Sequence, residues 1–162
     1  MVGKKIAMLG MWGVGKTSLV QQYVHSLYSE KYHASLGVKV DKKTVQRADG
    51  GQMMLMLWDI AGAEDHFSVP LSYVRGAAGY LLVMDGTRPE TLDAAVELVE
   101  TVETGIGRLP FVAVINKSDL GWTFGEADVR ARFSDQNPLV LPSSARTGEN
   151  VEAAFLALAE QL

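Results

Sequence analysis

One segment near the start of the chain constrains the fold more than any other. Residues 10–17 read GMWGVGKT and directly follow the apolar run Ile6-Ala7-Met8-Leu9. Glycines at these spacings let the backbone turn its N–H groups inward around an anion, and a following helix adds the positive end of its dipole. The pattern therefore predicts a strand that leads through a phosphate-binding loop into a helix.

Each residue type in this loop has a use in binding a nucleoside triphosphate. Lys16 can reach the outer phosphates and act there as a catalytic residue, and the Thr17 hydroxyl can ligate the accompanying Mg²⁺. We assign phosphate contacts to Gly13, Val14, Gly15, Lys16, Thr17 and Ser18. A glycine-rich turn with a surface lysine is the alternative that the segment alone leaves open.

The composition is that of an ordinary globular domain and excludes several classes of protein. A chain of 162 residues with 48% hydrophobic and 21% charged residues is the size of one domain, which we assign to residues 1–162. The formal net charge of −4 gives no general attraction to nucleic acid. Without cysteine there is no site for a prenyl or palmitoyl anchor, and no apolar run could span a bilayer. We expect a cytoplasmic protein with no lipid anchor in this chain and no nucleic-acid partner.

Apolar strands alternate with amphipathic helices along the whole chain, which is the pattern of an α/β protein. Strands are predicted at Lys4–Gly10, Val38–Ala48, Gln52–Ile60, Gly79–Met84, Phe111–Asn116 and Leu139–Pro142. Helices are predicted at Lys16 to about Leu27, Pro89 to about Thr104, Glu126–Phe133, and Val151–Leu162, the last capped by Asn150. An Asp49-Gly50 turn makes a hairpin of the second and third strands, and the apolar run Met54–Trp58 indicates that the third is covered on both faces. We therefore predict about six strands in a mostly parallel sheet with one antiparallel edge strand, and helices on both faces.

Polar residues follow the predicted strands, where parallel strands bring their loops to one edge of the sheet. Asp59, at the end of the third strand, can hold Mg²⁺ through water. Gly62, three residues later, can bring its N–H close to a terminal phosphate. These residues extend the predicted phosphate and metal site beyond the first loop.

Two later loops carry groups that can recognise a base. Asp119, in Asn116-Lys117-Ser118-Asp119, can accept hydrogen bonds from the ring N–H and the exocyclic amine of guanine, whereas adenine has no matching donor pair. The apolar stem of Lys117 can lie over the base, and the backbone N–H of Ala145, in Ser144-Ala145-Arg146, can meet the guanine carbonyl oxygen. The predicted base is guanine, bound by Asn116, Lys117, Asp119, Ser144, Ala145 and Arg146.

In this order and at these separations, the four motifs resemble those of the Ras superfamily of small GTPases, over essentially the whole chain. The resemblance implies a P-loop NTPase fold, GTP or GDP with Mg²⁺ as cofactors, and GTP hydrolysis. It also implies that Tyr28 packs against the guanine, that Tyr32 closes over the phosphates, and that Ser35 ligates the metal with Thr17 and Asp59. Ser35-Leu36-Gly37-Val38 is most similar to the Rab branch, and the absence of cysteines suits a prokaryotic or otherwise unlipidated relative.

Three positions depart from the pattern of that family. Ser35 replaces the usual threonine and keeps its hydroxyl, but lacks the branch that stiffens the side chain. Ala63 replaces the glutamine that orients the attacking water, so hydrolysis is expected to be slow, with Glu64 and His66 as the nearest candidate substitutes. Trp12 replaces a small residue beside the γ-phosphate and is expected to obstruct the arginine finger of a stimulating protein.

The sequence therefore favours a molecular switch that alternates between GTP and GDP states. Effectors, exchange factors and GTPase-activating proteins would bind the segments 32–38 and 62–73 and the exposed hairpin. Ala63 and Trp12 keep open an alternative, a nucleotide-binding interaction module without meaningful turnover. A kinase or ATPase is a third class, which Lys117 and Asp119 disfavour because they select guanine.

Overall fold

The computed structural model describes residues 2–26, 28, 38–60 and 70–162. Its strands are β1 (Val2–Leu9), β2 (Val38–Gln46), β3 (Gln52–Ile60), β4 (Gly79–Asp85), β5 (Phe111–Asn116) and β6 (Leu139–Pro142). Its helices are α1 (Lys16–His25), α2 (Leu71–Val74), α3 (Glu90–Gly105), α4 (Glu126–Arg132) and α5 (Val151–Ala159). Several residues named in the sequence analysis lie outside the described residues, among them Leu27, Tyr32, Ser35, Gly62, Ala63, Glu64 and His66.

The six strands form one mixed sheet in the order β2-β3-β1-β4-β5-β6. All neighbouring pairs are parallel except β2 and β3, which are antiparallel with Val38 opposite Ile60 and Gln46 opposite Gln52. A tight connection makes this pairing possible, because Gly51 accepts a hydrogen bond from the Arg47 N–H at 2.8 Å and donates one to Asp49 Oδ1 at 2.8 Å. The fold confirms the predicted α/β sheet with one antiparallel edge strand, and it brings the ends of β1, β3, β4, β5 and β6 to one edge.

Helices cover both faces of the sheet, and the two cores follow from alternation along the strands. In β1, Ile6 and Met8 point to one face, whereas Ala7 and Leu9 point to the other. The first face packs against α1 and α5, through Leu19, Val20, Tyr23, Val151, Ala154, Phe155 and Leu158. The second packs against α2, α3, α4 and the residue after α4, through Val74, Leu92, Ala95, Leu98, Val99, Val102, Val129 and Phe133.

Several details differ from the sequence-based prediction. Helix α2 was not predicted, because four residues are too few to establish a helical period. Asn150 does stand at the N-terminal cap of α5, but its side chain makes no capping bond. Its backbone is left-handed, with φ of 55°, and its Nδ2 instead donates to the Pro142 carbonyl at 2.9 Å. The predicted cap therefore ties the helix start to the end of β6.

The outer part of the sheet is less covered than its apolar sequence indicates. Leu55 and Leu57 are buried, but Met54, Met56 and Trp58 on the opposite face of β3 are only partly buried by the described residues. Val40 on the neighbouring strand is 43% exposed. Within the parts of the chain that the structure describes, no helix combines the length and apolarity needed to cross a bilayer.

Candidate functional site

The phosphate loop has the backbone geometry that its glycines predict. Gly13 has φ of 78° and Gly15 has φ of 105°, values that residues with a side chain rarely adopt. A Cβ on Gly15 would also collide with the side-chain amide of Asn116. The glycine is therefore required both by the turn and by the close approach of the β5 loop.

Lys16 is folded back onto this loop. Its Nζ donates to the carbonyl oxygens of Gly10 at 2.9 Å and Met11 at 3.3 Å, and the residue is only 7% exposed. Burial lowers the pKa of Lys16 to about 8, although the negative charge of Asp59 opposes this shift. A buried ammonium group with weak neutral acceptors is well suited to take an anionic phosphate as a partner.

Two side chains from the end of β5 reach across to the same loop. Asn116 Nδ2 donates to the Val14 carbonyl at 3.0 Å, and Lys117 Nζ donates to the Gly13 carbonyl at 3.3 Å. Lys117 Nζ also lies 2.8 Å from Oδ2 of Asp85, a fully buried carboxylate at the end of β4. These bonds tie the Gly13 and Val14 carbonyls to the end of β5, in a glycine-rich loop of the kind whose N–H groups bind phosphates.

Thr17 and Asp59 form the part of the predicted metal site that the structure describes. The Thr17 hydroxyl donates to Asp59 Oδ2 at 2.6 Å, and Asp59 is 1% exposed. A hydroxyl and a carboxylate are hard oxygen ligands of the kind Mg²⁺ takes, together with water and phosphate oxygens. No group of three or more acidic, histidine or cysteine side chains able to hold a metal occurs among the described residues. These two residues therefore fit Mg²⁺ delivered with a nucleotide rather than a metal cage made by protein alone.

Asn116 links three loops at the base-binding end. Besides its bond to Val14, its Oδ1 accepts hydrogen bonds from the Ser143 hydroxyl and from the backbone N–H of Ala145, both at 3.2 Å. The residue is buried. The Ala145 N–H, which the sequence assigns to the guanine carbonyl, thus already has an acceptor within the protein. Its contact with guanine stays a prediction.

Asp119 is oriented by the loop after β6. Its Oδ1 accepts a hydrogen bond from the Ser144 hydroxyl at 2.9 Å, and its Oδ2 lies 3.7 Å from Nη1 of Arg146. The Ser144 bond fixes the carboxylate, while the longer ionic contact leaves Oδ2 able to accept further hydrogen bonds. The arrangement suits a carboxylate that accepts two bonds from one edge of guanine.

A cavity of about 160 Å³ lies between these loops. It is lined by Gly15, Ser18, Tyr28, Asn116, Lys117, Asp119, Leu120, Ala145 and Arg146. The structure therefore brings together the predicted base-binding residues with part of the phosphate loop. Tyr32, Ser35 and Gly62 are outside the described residues, so their assigned roles stay predictions.

The sequence analysis did not identify two polar residues that hold parts of the site in place. Asp85, which holds Lys117, could have been found because it is a carboxylate at the end of an otherwise apolar strand. Gln22 of α1 donates to the Ala145 carbonyl at 2.9 Å, a contact between residues 123 positions apart that local pattern does not reveal.

Trp122 is the third omission. Its indole Nε1 donates to the Lys117 carbonyl at 3.1 Å, and its ring fills the space where a Cβ on Gly86 would stand. Lys117 has a left-handed backbone, with φ of 66°. The Trp122 hydrogen bond therefore supports a strained conformation in the base-recognition loop.

The sequence is similar to those of known proteins. A sequence model of the Ras family matches residues 5–162. Rat Ras-related protein Rab-4B is 37% identical over an alignment 166 residues long, which covers 98% of this chain and 75% of the relative. Mouse Ras-related protein Rab-4A is 36% identical with 98% and 73% coverage, and Rab-32B of Dictyostelium discoideum is 28% identical with 98% and 64% coverage. The chain therefore belongs to the Ras family of small GTPases and is Rab-like.

Proposed function

We propose that the protein is a guanine-nucleotide switch that cycles between GTP- and GDP-bound states and hydrolyses GTP slowly. The joining of the two predicted binding loops is the observation that carries this proposal. Asn116 and Lys117 donate to the carbonyls of Val14 and Gly13, so the base loop and the phosphate loop are parts of one site. A molecule with guanine at one end and phosphates at the other spans such a site.

The base end supports the choice of guanine. Asp119 has one oxygen held by Ser144, and it lines the cavity with Lys117 and Tyr28. A carboxylate there accepts bonds from the two adjacent donors of guanine, whereas it would face an acceptor nitrogen on adenine. Discrimination is strong where the bound base shields the hydrogen-bonding group from water, because the wrong base then leaves that group unsatisfied.

The phosphate end supports binding and turnover of a triphosphate. The N–H groups of residues 13–18 and the Lys16 ammonium would bind the phosphates, and Thr17 and Asp59 would hold Mg²⁺. When bound, Mg²⁺ neutralises charge that develops on the transferred phosphoryl group. Ala63 lacks a group that can orient water, so we infer a low rate of hydrolysis.

A second candidate is an interaction module that holds GTP or GDP without meaningful turnover. The same Ala63 favours it, together with Trp12, whose bulk at the phosphate loop would obstruct an arginine finger. Single-turnover hydrolysis separates the candidates: measurable phosphate release supports a slow GTPase, and release at the uncatalysed rate supports the module. If both departures limit hydrolysis, Ala63→Gln with Trp12→Gly accelerates it, whereas an unchanged rate excludes them as the cause.

We infer that partners bind the segments 32–38 and 62–73 and the adjoining outer face of the hairpin. Val40 and Tyr73 are exposed, and Trp58 pairs with Val40 across β2 and β3 while remaining partly exposed. Such apolar side chains on a charged strand favour effector, exchange or activating proteins as occupants.

Nucleotide competition tests the proposed function directly. The nucleotide that remains bound after purification is identified by chromatography, and GDP and ADP then compete for the emptied site. We expect GDP to win, and a preference for ADP would overturn the assignment.

Asp119→Asn tests the reading of the base. An amide cannot accept both guanine donors but can donate to the extra carbonyl of xanthine, so GDP affinity should fall roughly a hundredfold while xanthosine diphosphate affinity rises. Ser118→Ala, in the same loop, is the matched control and should retain the preference for GDP. An unchanged preference in Asp119→Asn would show that Asp119 does not contact the base.

A further inference from the structure

Arg88 lies against the outer side of the phosphate loop. Its Nη1 donates to the Trp12 carbonyl at 2.9 Å, and its Nη2 lies 3.9 Å from the Met11 sulfur. Its guanidinium carbon is 5.8 Å from the centre of the Trp12 ring, within the range of a cation–π contact. Nη1 also approaches Gly13, where an added Cβ would stand only 3.0 Å away. One side chain thus touches three consecutive residues of the loop.

The Trp12 carbonyl completes a row of tethered carbonyls. Those of Gly10 and Met11 accept from Lys16, that of Gly13 accepts from Lys117, and that of Val14 accepts from Asn116. Arg88 supplies the donor for the carbonyl in the middle of this row. Each of these bonds pairs a carbonyl oxygen with a donor, which limits its repulsion of a bound phosphate.

The short segment after β4 holds Arg88 in place. Its backbone N–H donates to the Asp85 carbonyl at 3.0 Å, and its Nε donates to Glu90 Oε1 at 3.2 Å. The Thr91 hydroxyl donates to the Arg88 carbonyl at 2.7 Å. The guanidinium group therefore has Glu90 on one side and Trp12 on the other. This planar fork positions two donors in fixed directions, which a lysine could not do.

The role of these hydrogen bonds in the nucleotide-bound protein rests on the proposed function. The Lys16 ammonium has three donors, so it would share them between the Gly10 and Met11 carbonyls and the phosphates. Arg88 is outside the anion site and keeps its bond to Trp12. We propose that Arg88 is a positioning residue that fixes the outer turn of the phosphate loop in the nucleotide-bound state and thereby slows release of the nucleotide.

Release of a fluorescent GDP analogue from Arg88→Ala tests this assignment. Loss of a hydrogen bond from a charged donor should accelerate release about tenfold. Arg88→Lys keeps a cationic donor without the fork, so its release rate should fall between those of Arg88→Ala and the unmodified protein. Arg132→Ala is the matched control, because Arg132 forms a comparable ion pair with Asp93 at 2.9 Å between α4 and α3. It should release GDP at the original rate.

Base preference distinguishes positioning at the phosphate end from general loosening. Inosine diphosphate lacks the exocyclic amine that Asp119 would bind. Arg88→Ala should therefore weaken GDP and inosine diphosphate by the same factor and leave their ratio unchanged. A changed ratio, or GDP release at the original rate, would overturn the proposal.

The Trp12 side chain provides a further discrimination. In a Trp12→Leu background the ring contact is lost but the backbone carbonyl remains, so Arg88→Ala should still accelerate release by a similar factor. Loss of the Arg88 effect in that background would overturn the assignment to the carbonyl. Failure of the unmodified protein to bind GDP would instead refute the proposed function, which separates the two outcomes.

Discussion

The two ends of the site are built differently. At the base end, Asn116 and Asp119 are held by partners within the protein, namely Ser143, Ala145 and Ser144. At the phosphate end, Lys16 donates to two backbone carbonyls of the loop, and its three-donor ammonium can bind a phosphate as well. We infer that the base pocket is shaped before the nucleotide arrives, whereas the phosphate end completes its contacts with the ligand.

Hydrogen-bond chemistry explains this difference. A buried amide such as that of Asn116 is costly unless both its donor and its acceptor are satisfied, so the surrounding loops are fixed once they satisfy it. An ammonium group that donates to neutral carbonyls can still gain stabilisation from a negatively charged partner. The phosphate end therefore gains more from its ligand, and the base end contributes selectivity.

Replacement of Asn116 should have the largest effect, because this residue joins the two ends. Asn116→Ala removes three hydrogen bonds, to Val14, Ser143 and Ala145. At about 1 kcal/mol each, they correspond to roughly a hundredfold loss of GDP affinity. Titration calorimetry with GDP measures this loss, and thermal unfolding of the nucleotide-free protein reports the accompanying loss of stability.

Ser143→Ala serves as the control for that experiment. It removes one of the three bonds and should weaken GDP by only about fivefold. Equal losses of GDP affinity in the two variants would show that Asn116 does not join the loops. The proposed difference between the two ends of the site would then be wrong.

GDP binding should depend on pH through Lys16, which lies at the phosphate end of the site. The nucleotide-free pKa of Lys16 is lowered to about 8 by burial, and phosphate charge would raise it in the complex. Above this pKa the complex therefore carries more protons than the free protein. GDP affinity should fall by up to about tenfold per pH unit as the pH rises through this window, and this group should contribute no dependence below it.

Lys16→Met supplies the control for the pH experiment. It removes the titrating group, so its weaker GDP affinity should lack this proton-linked decrease. Ionisation of guanine at higher pH affects both proteins and cancels in the comparison. Parallel pH profiles for the two proteins would show that Lys16 is charged in both the free and bound states.

Local sequence patterns were sufficient to predict most of the fold and the positions of the binding loops. The alternation of apolar strands and amphipathic helices fixed the six-stranded sheet, and the glycine spacing identified the phosphate loop. The placement of Asn116 and Asp119 after a buried strand predicted that they lie at the same edge of the sheet as that loop, but not the bond between Asn116 and Val14. These features could be predicted because right-handed parallel connections bring the C-terminal ends of the strands to one edge of the sheet.

The contacts between distant segments could not be predicted in this way. Arg88 meets Trp12 across 76 positions, and Gln22 meets Ala145 across 123 positions. Such pairs depend on side-chain directions that only the packed structure defines. The same limit applies to Met54 and Trp58, whose apolar run predicted a fully covered strand although the described residues leave one face partly open.

Trp122→Phe should give the smallest of these effects. The phenyl ring can still cover Gly86, but it cannot donate to the Lys117 carbonyl, so one hydrogen bond is lost from a loop with a left-handed lysine. A loss of about 1 kcal/mol corresponds to GDP release about fivefold faster. Because the change is confined to the base end, the GDP-to-inosine-diphosphate ratio should also decrease. A variant with faster release and an unchanged ratio would place the contribution of Trp122 at the phosphate end, through Lys117 and Gly13, and would weaken the division between the two ends.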